Sequence, residues 1–213
     1  MLAAAVEVFA LLGFDGATTR SIVARAGSSL SALQECFGSK KNLYIQVINQ
    51  AMTRFCQTCA GILSEISTLE QLGLLQGDRA WGMIAAMTER VGEWTFSPEN
   101  RYINLLIHRE LLFPSGMPDD TMEQIQSLYL QYAALFEAFT QTQNTQWAKY
   151  LAFRTVIDFF DAADYPQLLG QLMNMDLTIP ENQTLVKAQV IRSTLTILHA
   201  SLMQYRSLSL SAE

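Results

Sequence analysis

Apolar residues recur at three- and four-residue steps along almost the whole chain, the period of a helix with one buried face. Leu2, Ala5, Val6, Phe9 and Leu12 mark a first helix, which Gly13 closes. Thr18 caps a second, with Ile22, Val23 and Ala26 inward and Gly27 at its end. Ser28 or Ser29 caps a short third helix carrying Leu30, Leu33 and Phe37. Ser39 caps a fourth, whose Leu43, Val47, Ile48, Met52, Phe55 and Ile62 continue for about eight turns. Gly73 and Gly77 break the pattern, and further helices are predicted over 78–95, 98–113, 119–142, 146–163 and 182–206. Ser97-Pro98-Glu99 reads as a helix start, with a cap, a first-turn proline and an acid at the positive end of the dipole. Loops fall at 114–120 and around Tyr165-Pro166 and Ile179-Pro180. No stretch has the alternation of a strand, so the fold class is all-α.

The second and third helices are too short to persist alone in water, because nucleating a helix is costly. Their stability must come from packing Phe9, Leu12, Ile22, Val23, Leu33 and Phe37 into one small core. Two short helices joined by a glycine turn and braced by a preceding helix describe a helix-turn-helix head, whose second short helix such units lay along DNA.

Charge sharpens this picture. The 213-residue chain carries a net charge of −6, yet residues 1–50 hold four basic and three acidic side chains, and the remainder ten basic and seventeen acidic. Only the N-terminal segment is fit to approach a polyanion. No apolar run reaches the eighteen or so residues that a membrane span requires. The N-terminus, with Glu7 and no leading basic residues, makes a poor signal peptide and a good amphipathic helix, so a cytoplasmic location is expected. Cys36, Cys56 and Cys59 suit a reducing compartment, and the CxxC of the last two lacks a second ligand pair or nearby histidine, so no metal or cofactor is expected.

The run AAAVEVFALLGFDGATTRSIVARAG followed by FGSKKNLY is similar to the TetR family of transcriptional regulators. Ala4, Ala5, Phe9, Gly13, Phe14, Thr18, Thr19, Ile22, Ala24, Ala26, Gly27, Phe37, Ser39, Lys40 and Leu43 fit that family's pattern in type and spacing. The FGSK junction and RELLFPSG at 109–116 resemble, more narrowly, its CecR-like branch. The resemblance implies a homodimer with a DNA-binding domain over 1–46 and a helical ligand-binding and dimerisation domain over 47–213.

The segment departs from the family where DNA contact is expected. The position of the family's phosphate-binding tyrosine holds Gln34, that of its following aromatic holds Cys36, Glu35 adds a negative charge, and no basic arm is expected before the first helix. Gln34 can still donate to a phosphate or to adenine, and Ser28, Ser29, Leu30, Ser31 and Ala32 would meet backbone or base edges. Thr19, Arg20, Lys40 and Lys41 stand at helix starts where phosphates are held. About three phosphates per subunit would give a dimer a salt slope near −5.

Trp81, Trp94, Tyr102, His108, Arg109, Tyr132 and Phe136 are the candidates for binding a small apolar or aromatic effector, with His108 and Arg109 as the polar groups that would orient it. The same aromatic residues would serve equally as core. Apolar faces on 146–163 and 182–206 exceed what one chain must cover and point to a homodimer built as a four-helix bundle. Nucleophile elbow, P-loop and zinc-protease motifs are absent, and Glu93, Glu99, Glu110 and Glu123 read as helix surface, so no enzyme is expected. The expected function is a ligand-released repressor acting on a double-stranded operator. The alternative is a protein of the same fold that binds ligand or protein with weak or lost DNA binding.

Overall fold

The computed structural model describes residues 1–142 and 144–210. Among them the regular elements are all helical: α1 (Leu2–Gly16), α2 (Thr19–Ala26), α3 (Leu30–Phe37), α4 (Lys40–Gln71), α5 (Gly77–Thr95), a 3-10 turn (Pro98–Asn100), α6 (Arg101–Leu112), α7 (Asp119–Thr140), α8 (Thr145–Asp164), α9 (Pro166–Met173) and α10 (Pro180–Leu210). Packing divides the chain into two units. The first comprises Met1–Cys56 with Ser97–Ile125, and the second Gln57–Phe96 with Gln126–Glu213.

In the first unit α1 packs on α2 and α6, and α2 packs on α3. Phe9, Ile22, Leu33, Leu43, Val47 and Ile48 are buried at its centre. The Phe9 and Phe14 rings meet Tyr44 of α4 edge-on at 4.9 and 5.0 Å. Leu12 does not join this core and stays 49% exposed, while Phe37 is only half-buried. Helix α1 is gripped from two sides and buries Ala5, Val8, Phe9 and Ala10, so Leu11 and Leu12 fall on the remaining, wet face.

Gly13 breaks α1 as expected, but the helix resumes beyond it to Gly16. Its φ of 71° and ψ of 176° belong to a region that side chains essentially never occupy. A Cβ there would also stand 2.7 Å from Arg109 Nη2 on α6. Gly13→Ala should therefore cost about 1–3 kcal/mol of stability in urea unfolding, and a midpoint like that of the unsubstituted protein would refute this.

In the second unit α5 packs on α8 and α10, and α8 on α9 and α10. Here the sequence expectation needs correction. The stretch after Tyr165, predicted as loop, forms α9, because Pro166 occupies the first helical position where its missing N–H costs nothing. Pro180 begins α10 in the same way, two residues before the predicted start. Ser97 makes no side-chain cap, and the predicted 98–113 helix opens with a 3-10 turn before α6.

Candidate nucleic-acid interface

Three helix starts converge in sequence on residues 18–42, and each is capped by its own chemistry. Thr18 Oγ1 accepts the Ser21 N–H at 3.0 Å while Ser21 Oγ accepts the Thr18 N–H at 3.1 Å, a reciprocal capping box. Ser29, rather than Ser28, caps α3 by accepting the Ala32 N–H at 3.1 Å. Ser39 accepts the Asn42 N–H at 3.1 Å at the head of α4. Gly27 ends α2 in the left-handed conformation (φ 58°), which lets the chain reverse into α3 within three residues. The first-turn N–H groups of Thr19, Arg20, Leu30, Ser31 and Lys41 thus remain outside intrahelical bonding and carry the positive end of each dipole.

Around these starts the exposed side chains are Arg20, Ser28, Ser29, Leu30, Ser31, Gln34 and Lys41, with Thr19 and Ala32 half-buried. Leu33 is buried against the rest of the head. Thr19, Leu30, Ser31, Gln34 and Glu35 line one open concavity together with the edge of Leu33. Glu35, set aside in the sequence as an unfavourable charge, is thus grouped with the proposed contacts. The signal for it is its place one turn beyond Ser31 on the outward face of a short helix.

Lys40 differs from Lys41. Its ammonium donates to Phe14 O at 2.8 Å and Ala17 O at 3.0 Å and lies 4.3 Å from the centre of the Phe14 ring. It satisfies the carbonyls at the end of α1 and ties them to the start of α4. Two of its three N–H donors are thus engaged within the head. Arg25 is likewise held, bonding Glu7 across α1 and α2 at 2.7 Å. Of the four basic side chains in residues 1–50, Arg20 and Lys41 are the ones left to face outward.

The structure distributes the effector candidates between the two units. Trp81, Trp94, Tyr132 and Phe136 belong to the second. Tyr132 and Phe136 are fully buried with ring centres 4.7 Å apart, and the Trp81 ring stands 4.4 Å from His199 and 6.0 Å from Phe139. Thr88 donates its hydroxyl proton to Ile84 O at 2.7 Å, so the Tyr132 hydroxyl donates in turn to Thr88. Tyr102, His108 and Arg109 lie in the first unit, where His108 is buried, Tyr102 half-buried and Arg109 exposed.

Glu110 overturns its reading as helix surface. It is 1% exposed. One carboxylate oxygen accepts the N–H groups of Ser115, Gly116 and Met117 at 2.9, 3.0 and 2.8 Å, and the other accepts the Tyr44 hydroxyl. Burial first, then this bond, holds the Tyr44 phenol well above its ordinary range. Burial also pushes the Cys56 thiol up. Among the described residues no three His, Cys, Asp or Glu side chains gather as a metal site, and no helix is long and apolar enough to cross a membrane.

Residues 1–47 match the family profile described as bacterial regulatory proteins, tetR family. The HTH-type transcriptional repressor AcnR of Corynebacterium jeikeium (strain K411) is 31% identical over 93 residues, covering 43% of this chain and 48% of that protein. The matched stretch therefore spans about half the length of that relative. A crystal structure of a TetR-like transcriptional regulator from Rhodococcus sp. RHA1 superposes with a TM-score of 0.57 at 18% identity, over 100% of this chain and 94% of that one. The first 47 residues thus match the head of the tetR family, and the chain over its length shares the fold of a TetR-like regulator.

Proposed function

We propose that the protein is a DNA-binding transcriptional regulator, a repressor that acts as a homodimer on a double-stranded operator. The observation that carries this is the outward face of the head. Short α3 presents Leu30, Ser31 and Gln34 to solvent, flanked by Arg20 and Lys41 at two capped helix starts. Such a face fits a major groove, with phosphates held at the flanks and base edges read at the centre.

Pairing would use α8 and α10. Tyr150 and Phe153 on α8 and Leu185, Ile197 and Met203 on α10 are all at least 45% exposed, and α10 adds only Glu181, Lys187, Arg192 and Arg206 as charges. That is apolar area in need of a partner. A small apolar or aromatic effector would be held in the second unit among Trp81, Trp94, Tyr132 and Phe136, where the bonded Thr88–Tyr132 hydroxyls are polar groups in an apolar setting. Binding there would release the DNA by favouring a state whose heads no longer match the operator.

The test is fluorescence anisotropy on labelled duplex across a salt series, with the duplex taken from genomic fragments that the protein retains. With Lys40 occupied, two outward cations per subunit give an expected slope of about −4 rather than −5. Lys40→Ala should leave that slope unchanged while lowering stability by about 1–3 kcal/mol, since it strips two charge-assisted bonds. A chain that retains no fragment at low salt would defeat the proposal.

A further inference from the structure

Resting on the DNA-binding reading above, we propose that Glu35 is a base-reading residue that selects a cytosine in each half-site of the operator. Glu35 is the only charged residue of α3. At about 100° per residue it projects about 160° away from both Leu33 and Phe37, the residues that turn α3 toward the head. It is exposed, and among the described residues no hydrogen bond or ion pair engages its carboxylate. It lines the same concavity as Thr19, Ser31 and Gln34.

Position decides what a carboxylate does on such a helix. At the flank of the face it would meet phosphate and repel it. At the centre of the face it meets base edges, where an acceptor-only group is selective. In the major groove only cytosine N4 and adenine N6 donate, whereas guanine O6 and thymine O4 accept. Adenine sets its N7 lone pair beside N6, so the second carboxylate oxygen there would face another acceptor. Cytosine has a carbon-bound hydrogen at the neighbouring position and imposes no such conflict. Gln34, one residue before, carries both donor and acceptor and suits adenine. The negative charge that weakens general attraction to DNA thereby becomes a device for refusing wrong bases.

The experiment is selection from randomised duplexes by the full-length protein, Glu35→Ala and Glu35→Gln, followed by affinities on the consensus and on its single-pair changes. The unsubstituted protein should enrich a symmetric site with one cytosine per half whose replacement weakens binding about tenfold or more. Glu35→Ala should keep the other positions and lose preference at that pair. Glu35→Gln should move the preference there from cytosine to adenine. If Glu35→Ala enriches the same consensus and binds every duplex more tightly by one common factor, the carboxylate only repels and the inference is overturned. If the unsubstituted protein enriches no sequence at all, the DNA-binding reading itself falls, and that result is distinct from the previous one.

Discussion

Glu110→Ala should lower the melting temperature by about 10 °C, the largest stability effect expected of a single polar substitution in this chain. The carboxylate is buried without a cation and is balanced by four donors, three from the backbone of 115–117 and one from Tyr44. Bonds to a charged acceptor contribute about 1.5–3 kcal/mol each, and a buried donor left unmade costs about 1–3 kcal/mol. Ser115 and Gly116 are exposed, so water can relieve their N–H groups once the chain loosens. Tyr44 is 3% exposed and has no such recourse. The net loss is then about 3–5 kcal/mol, a large share of the 5–15 kcal/mol that holds a typical domain together. Glu110→Gln keeps the volume and one acceptor but turns an NH2 toward donors, so it should fall between. Thermal unfolding followed by circular dichroism decides the matter, and a shift within about 2 °C for Glu110→Ala would refute it.

That residue also shows where sequence reasoning succeeds and where it stops. The head was legible because its punctuation is chemical. Thr18, Gly27, Ser29 and Ser39 each satisfy a particular orphan group, and the structure finds those bonds at the expected places. Glu110 escapes any reading in which a charged residue marks the surface. Its spacing said otherwise, for it follows Ile103, Leu106 and Ile107 on the buried stripe of α6. What periodicity could not supply was its set of donors, which come from a turn five to seven residues on and from a helix sixty-six residues away. Lys40 and Lys41 make the same point. Adjacent identical side chains look interchangeable, yet one step around the helix separates a half-buried ammonium over Phe14 from a solvated one. Helix α9 escapes the pattern because a proline followed by few residues reads as a break, when it equally begins a helix.

The division between the two lysines sets the second large effect. Arg20→Ala with Lys41→Ala should weaken DNA binding about a thousandfold at 0.1 M salt while leaving the fold intact. On the proposed reading each substituted cation removes one phosphate contact per subunit, so a dimer loses four. With a slope of about −0.9 per phosphate, the loss amounts to between three and four powers of ten at that concentration and shrinks toward nothing near 1 M. Lys41→Ala alone should halve the slope to about −2. Because both side chains are exposed and neither caps a helix, urea unfolding should move by no more than about 0.5 kcal/mol. The loss must also be uniform across sequences, since phosphate contacts carry no base information. A double variant that kept the full salt slope would place the phosphates elsewhere on the head, and one that lost affinity for a single sequence only would make these side chains base readers instead. Either result would remove Arg20 and Lys41 from the flanks of the groove and with them the seating that puts the outward face of α3 over the bases.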